Sequence, residues 1–438
     1  MKRGNLLLKT AFLICGATIL LSSIHTSPTH YPKNPSPNLT GLSNTSTGEP
    51  SSSEHHAQKT RATKKRLELQ HAVQDYFENA IKKGLIVGAG VSIVKGDSVL
   101  LSTGYGKRNS NTGARVNKET IFRLGSLSKG FAGVLVGKLK SQKLLDWNDN
   151  VSNYIPDFKF KDADYTSKIK LSHILSHTSG APYHSYTDLI EADVDLKVIA
   201  SRFKNVEPIS EPGAMYSYQN ALFALSGEVT QCVTGNSINK DLETHFFKPL
   251  KMTMASTDYK SLIASKNKAH AHRKYRKRWK TIKFTDKYFN AVAAGGINAS
   301  ANDMSKWMHL LLGHNQTIMT SQQLSEVFQP IVKIGGNHKY YQHWDGHISS
   351  HYGYGWRIHH LTDGNTGVPK TIIHHGGSVN DFRNEIALFP EEDLGICVLM
   401  NSMTKLAKQV IPDLHNIVSN VYQNANLVAT ADSNQNIQ

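Results

Sequence analysis

Residues 59–426 predict an α/β domain of the α+β type: an antiparallel sheet covered by N- and C-terminal helices, beside a mainly helical subdomain over roughly 125–330. Three observations carry this expectation. Short β-prone runs stand near both ends of the span, at 89–104 and 371–399. Apolar residues at helical spacing flank them on the outside. A long stretch of helical pattern separates them, and early and late strands of this kind can join one sheet.

Before the domain, residues 1–24 begin with Lys2 and Arg3 and continue into a broken apolar stretch, Leu6 to Leu21, interrupted by Lys9. The unbroken part, Ala11 to Leu21, has the size of a signal-peptide core and is short for a bilayer span. Export is expected, to the periplasm or beyond, with an uncleaved N-terminal anchor as the alternative. Residues 25–58 are rich in Ser, Thr, Pro, Asn and Gly and poor in large apolar residues. Such a segment buries too little to offset its ordering entropy, so a disordered linker is predicted, and likewise a disordered tail at 427–438.

Within the domain, Leu67, Leu69, Val73, Tyr76, Phe77 and Ile81 predict a helix over 60–83, ended by Gly84. Ala89–Val94 and Ser98–Gly104, joined at Gly96-Asp97, read as a hairpin. The helical block is cut by loops around Gly180, Pro212-Gly213 and Gly295-Gly296. Thr371–His375, Asn384–Phe389 and Leu394–Leu399 read as strands, with a turn at Pro390–Asp393. A last helix over 404–424 contains Pro412, which predicts a kink.

Composition narrows the function. Lys+Arg is 50 against 34 Asp+Glu, a formal net charge of +16. The excess is local: it sits in the leader, in residues 51–66, and in residues 266–283, which hold nine basic groups and no acid. A distributed nucleic-acid face is therefore not expected. The basic loop 266–283 could make weak contact with an anionic envelope surface. Three cysteines, Cys15, Cys232 and Cys397, make no disulfide framework and no CxxC zinc motif. Cys232 and Cys397 read as two separate buried thiols, with one bridge as the alternative.

Three local patterns carry chemistry. Ser126-Leu127-Ser128-Lys129 follows Gly125 and opens an apolar helical run. On a helix, residues three apart share a face, so the Lys129 amine can stand beside the Ser126 hydroxyl and, once desolvated, accept its proton. Ser-x-x-Lys occurs seven times in the chain, but only Ser126 follows a glycine and enters such a helix. Tyr218-Gln219-Asn220 lies after Pro212-Gly213 at the start of another apolar helix; the same pattern recurs at Tyr288 and Tyr422. His375-Gly376-Gly377-Ser378 ends an apolar strand. Its glycines would let a substrate backbone approach and pair as an added strand, and the Ser378 and Ser126 N–H groups could form an oxyanion hole.

These three elements, in this order, resemble the penicillin-binding serine hydrolases: class C β-lactamases, D-alanyl-D-alanine carboxypeptidases and related esterases, which share a β-lactamase/transpeptidase-like fold. Gly104-Tyr105-Gly106, the run Leu171 to Gly180, Pro249 to Met252, Ala294-Gly295-Gly296 and Tyr354-Gly355-Trp356 match the family's habits over roughly residues 67–402. The resemblance implies Ser126 as the acylated nucleophile, Lys129 as its proton partner and Tyr218 as general base or acid. It implies Asn220 as the group orienting Lys129 and the substrate, with His375, Gly376, Gly377 and Ser378 binding substrate. It implies an ester, a β-lactam or a D-amino-acid peptide as substrate, and no cofactor or metal. His375 stands where β-lactamases usually have lysine, so a fixed cation for a substrate carboxylate is missing from that position.

Two other readings differ in class. A non-catalytic envelope-binding protein would keep the cleft without turnover. A zinc hydrolase would use histidines at i, i+4, such as His173/His177 or His343/His347/His351, but no His-Glu-x-x-His pattern supports it and residues 343–351 read as a loop.

Overall fold

The computed structural model describes residues 52–364 and 366–435, so the leader and most of the linker fall outside the described residues. Helix α1 (Ser52–Lys82) leads into the hairpin β1 (Gly88–Lys95) and β2 (Ser98–Gly106). Strand β3 (Phe122–Arg123) precedes a short 3-10 turn, Gly125–Leu127, and helix α2 (Ser128–Ser141). Short helices follow to residue 264, then strands β4 (His272–Tyr275), β5 (Arg278–Thr281) and β6 (Asn298–Ala299). The late strands are β7 (Val332–Lys333), β8 (His347–Tyr352), β9 (Arg357–Thr362), β10 (Pro369–Val379), β11 (Phe382–Phe389) and β12 (Leu394–Met400).

Eight of these strands form one sheet in the order β2-β1-β12-β11-β10-β9-β8-β7. Its pairings are antiparallel, with β12 bridging the early and late chain through Val91 opposite Val398 and Glu385 opposite Val398. Alternation along the strands gives the sheet two apolar faces. One face packs Val91, Ile93, Ile396 and Val398 against Leu69, Val73 and Phe77 of α1 and Val410, Ile411 and Leu414 of the C-terminal helix Val410–Gln435. The other packs Ile386, Leu388, Cys397 and Leu399 against the helical block. The expected architecture, a sheet under two terminal helices with a helical part alongside, is the observed one.

Helix α2 runs through the helical block, buried nearly all round. Phe131 stacks on Trp307 with ring centroids 3.9 Å apart. Three glycines open one side of it. A Cβ on Gly130 would land on the Trp356 ring, one on Gly133 on the Tyr354 carbonyl oxygen, and one on Gly137 within 2.6 Å of Val327. Their missing side chains let the segment before β9 lie directly on the helix.

Several local expectations need correction. Residues 266–283 are not a loop: β4 and β5 pair as a hairpin, because Lys274 faces Trp279 and Tyr275 faces Arg278 in register. Residues 343–351 are not a loop either, since His347 begins β8 and pairs with β9. The polar composition hid a strand whose period of two survives at Ser350 and Tyr352, both buried. Pro412 causes no mid-helix kink, because it is the third residue of the last helix, where a proline costs no intrahelical bond. That helix also extends over part of the segment expected to be a disordered tail. Cys397 is buried, but Cys232 is exposed, and neither is paired.

Candidate active site

The chain turns sharply at Gly125, whose φ of +56° lies in the left-handed region. A Cβ there would sit 2.8 Å from the backbone of Ser378. This contact brings the start of α2 against the end of β10 and places the backbone of Ser126 beside that of Ser378. Around Ser126 the chain is buried; Ser126 itself is partly exposed. It lines a cavity of about 370 Å³ with Tyr218, Asn220, Arg357, Gly376 and Ser378.

Lys129, one turn on, is fully buried. Its Nζ donates to Asn220 Oδ1 and to the Ala294 carbonyl, both at 2.8 Å, and stands 3.5 Å from Ser126 Oγ. Burial, reinforced by the nearby Arg357 cation, pushes this amine well below its usual pKa. A neutral amine has two N–H donors and one lone pair. The two acceptors take both donors, which leaves the lone pair for the Ser126 hydroxyl. The 3.5 Å separation is the length that catalytic hydrogen bonds often have before substrate arrives.

Tyr218 approaches from the other side, its hydroxyl donating to Ser126 Oγ at 2.9 Å. Burial pushes its pKa up to about 12, with Arg357 and the Ser126 bond pulling the other way. At neutral pH Tyr218 is therefore a phenol, an acid rather than a standing base. Its ring lies over His177, centroids 4.1 Å apart, and His177 Nδ1 accepts the Gln219 N–H at 3.1 Å. Burial holds His177 well below its ordinary pKa, so it braces Tyr218 as a neutral ring. Asn220 begins the helix Asn220–Ala224, and its Nδ2 donates to Tyr288 Oη at 3.2 Å.

The structure thus brings Ser126, Lys129, Tyr218 and Asn220 together. The glycine motif divides by strand parity. Gly376 and Ser378 line the cavity; His375 and Gly377 do not. His375 was expected to bind substrate, but it is fully buried, bonding Tyr352 Oη through Nε2 at 2.9 Å and the Gly376 carbonyl through Nδ1 at 2.8 Å. Gly377 is glycine because the segment leading into α2 demands it: a Cβ would meet the Leu124 carbonyl oxygen. Beyond His374, which pairs with Arg357, β10 has β11 as its only strand partner among the described residues. Residues 375–379 therefore turn an open strand edge toward Ser126.

Sequence reasoning missed the rest of the lining. Tyr183, Tyr216, Tyr340 and Tyr341 wall the cavity with His184, Tyr288, Lys339 and Arg383. Arg383 pairs with the buried Glu385 at 2.6 Å. Glu385 Oε2 also accepts from Tyr340 Oη and lies 2.8 Å from His374 Nε2. From there a buried line continues through His359 (3.1 Å), Ser350 (2.8 Å) and His347 (2.7 Å). Arg357 directly follows Tyr354-Gly355-Trp356, the one nearby signal the sequence offered. The histidine pairs considered for zinc serve other ends: His173 Nδ1 caps its helix by accepting the Lys170 N–H, and His177 supports Tyr218. Among the described residues, no group of three or more His, Cys, Asp or Glu is placed to hold a metal.

Known proteins resemble this chain. The Beta-lactamase family profile matches residues 73–416. "Protein flp" of Staphylococcus aureus (strain MW2) is 25% identical over 363 residues, covering 80% of this chain and 67% of its own length. "Beta-lactamase" of Escherichia coli (strain K12) is 24% identical over 315 residues, covering 65% of this chain and 76% of its own length. Among solved structures, the octameric penicillin-binding protein homologue from Pyrococcus abyssi superposes with a TM-score of 0.67 at 21% identity, over 79% of this chain and 77% of that one.

Proposed function

We propose, on the premise that this chain belongs to the beta-lactamase family, that it is a serine hydrolase forming an acyl-enzyme at Ser126 on an ester or amide. One observation carries the reading. The partly exposed Ser126 hydroxyl lies between a phenol and a desolvated amine whose other donors are already satisfied.

In the first half-reaction the Ser126 proton passes to the Lys129 amine as Oγ bonds to the substrate carbonyl carbon. The resulting oxyanion faces the Ser126 and Ser378 N–H groups. As the carbon–leaving-group bond breaks, Tyr218 donates its proton to the departing oxygen or nitrogen, and the proton on Lys129 restores the phenol. In the second half-reaction water gives up a proton to the same pair and attacks the acyl carbon, and as the C–Oγ bond breaks that proton is returned to Ser126 Oγ, releasing the acid and restoring the hydroxyl.

Intact-mass measurement after exposure to activated esters and penicillins tests this. The expected result is a single adduct equal to the acyl group, absent in Ser126→Ala and retained in Ser92→Ala, whose serine also heads a Ser-x-x-Lys but is buried in β1. An adduct that survives Ser126→Ala would refute it. No adduct and no turnover with any member of the panel would favour a binding protein that keeps the cleft.

A further inference from the structure

The hairpin of β4 and β5 is a two-stranded sheet of its own, outside the main one. Its base is tied to the domain. His272 is buried, donates its backbone N–H to the Asn401 carbonyl at 2.8 Å, and accepts the Ser110 N–H on Nε2 at 3.1 Å. Arg273 pairs with Asp381, in the turn between β10 and β11, at 2.7 Å. The Lys274 amine donates to the Gly84 carbonyl at 3.0 Å. Beyond these ties the hairpin end stands in solvent. Tyr275, Arg276, Lys277, Arg278 and Lys280 are all exposed, and among the described residues no carboxylate pairs with any of the four cations.

The register sets like charges against each other. Arg273 lies opposite Lys280 and Tyr275 opposite Arg278, and a period of two puts these four on one face. Like charges directly opposite destabilise a strand pair, and a two-stranded hairpin has little stability to spare. The turn repeats the choice: Arg276 has a φ of +53°, where glycine or asparagine is the ordinary occupant. Folding then adds a second basic segment that the sequence keeps far away. Residues 107–118 hold Lys107, Arg108, Arg115 and Lys118 and no acid. They are joined to the hairpin segment by hydrogen bonds from Arg108 to Asn267 (2.7 Å), Asn267 to Asn117 (2.9 Å) and Asn111 to Thr281 (2.8 Å). Lys107, Arg115 and Lys118 are exposed. The two segments thus make one basic surface at a single end of the main sheet.

Such a surface repels itself until an anionic partner covers it. Tyr275 indicates which partner. Its exposed ring stands at the hairpin end, 4.7 Å from Lys280 Nζ and 5.8 Å from Arg276 Cζ. A ring set among cations suits a bilayer interface, where tyrosine sits at headgroup level and Lys and Arg reach anionic headgroups. We propose that this basic end of the domain, centred on residues 275–280, docks on a lipid bilayer with anionic headgroups. The inference is independent of the hydrolase reading and needs no turnover.

The test is co-sedimentation of the full-length protein with vesicles of phosphatidylcholine, alone or with about 30 mol% phosphatidylglycerol. Binding to the anionic vesicles should exceed binding to the neutral ones by about 100-fold or more at about 0.1 M salt, and should collapse at about 1 M. Each cation near such a surface strengthens binding about 5-fold, so Arg276→Asn, Lys277→Gln, Arg278→Gln and Lys280→Gln together should cost about 100-fold. The same charge removed by glutamine at Lys159, Lys161, Lys197 and Lys204, exposed on the helical block, should cost less than about 5-fold. The leader is common to every variant, so its contribution cancels in the comparison. A variant that failed to fold would expose apolar surface and bind the neutral vesicles more, which sets that case apart. Tyr275→Ala should weaken vesicle binding while leaving binding to dextran sulfate unchanged. Binding that does not distinguish the two vesicles, or that survives neutralisation of the hairpin, would overturn the proposal. Equal losses from the two sets of four would assign the effect to net charge instead of this surface. Retention by dextran sulfate without retention by anionic vesicles would replace the bilayer with an anionic polymer.

Discussion

Replacing Asn220 with aspartate puts a carboxylate in place of the neutral oxygen that accepts from Lys129 at 2.8 Å. The side chain keeps its size, so packing around the helix Asn220–Ala224 is preserved. Two unit charges at that distance attract by about 6 kcal/mol at an effective dielectric near 20. Desolvation of the new carboxylate takes back a large share, which leaves an upward shift of about 1–3 pH units in the Lys129 pKa. The neutral amine is the proton acceptor, and it is lost as pH falls through its pKa. A raised pKa therefore moves the acid limb of the rate profile upward. At neutral pH the acylation rate of Asn220→Asp should drop, by up to about 100-fold where the raised pKa comes to lie above the assay pH, and should recover toward the unaltered rate as pH is raised. The assay is single-turnover acylation by a chromogenic ester across the pH range. A profile with its acid limb in the original place, merely scaled down, would refute Lys129 as the neutral base.

Tyr218→Phe keeps the ring on His177 but removes the hydroxyl 2.9 Å from Ser126, and should lower kcat/KM by about 100-fold or more, read by steady-state kinetics, with stability little changed. Gly133→Ala forces a methyl onto the Tyr354 carbonyl oxygen and should cost about 1–3 kcal/mol in chemical denaturation, together with activity, because the segment it displaces carries Arg357. Glu392 is held down to a pKa of about 2 in the fold, where its bonds to His415 (2.7 Å) and Lys370 (3.2 Å) overcome its burial. Its contribution to stability is complete above pH 4.5, the ordinary carboxylate value, and is lost as pH falls toward 2. Glu392→Gln should therefore lose up to about 3 kcal/mol at neutral pH and flatten the acid limb of the stability curve; an unchanged limb would contradict the assignment.

What the sequence made legible was mostly local. Ser126, on the 3-10 turn, and Lys129, in the first turn of α2, are three residues apart, and Tyr218 and Asn220 stand two apart at a helix start, so spacing alone places each pair. The sheet was legible at β1, β2, β10, β11 and β12, where apolar runs end at turn residues. It was not legible at β8 and β9, whose histidines and serines bond one another instead of facing solvent. The cavity walls escaped for a different reason. Arg357, Tyr340 and Arg383 reach Ser126 only through sheet pairing and through the glycine side of α2, contacts that join residues more than two hundred positions apart. His375 was misread by one step of strand parity, since its neighbours at 376 and 378 are the residues that open onto the cavity.

The buried line from Glu385 to His347 carries a directional constraint. When Glu385 is ionised its carboxylate only accepts, so the nearest imidazole must present Nε2–H to it and offer its Nδ1 lone pair to the next ring. That ring must then carry its hydrogen on Nε2 and accept the Ser350 hydroxyl on Nδ1, and the Ser350 oxygen must accept from His347. One carboxylate thus dictates the tautomer of three imidazoles across four adjacent strands, like a row of turnstiles that can rotate only together. Reversing any single member strands two lone pairs or two hydrogens face to face, so the polarity of the whole row is set at the cavity wall and read out three strands away, on β8.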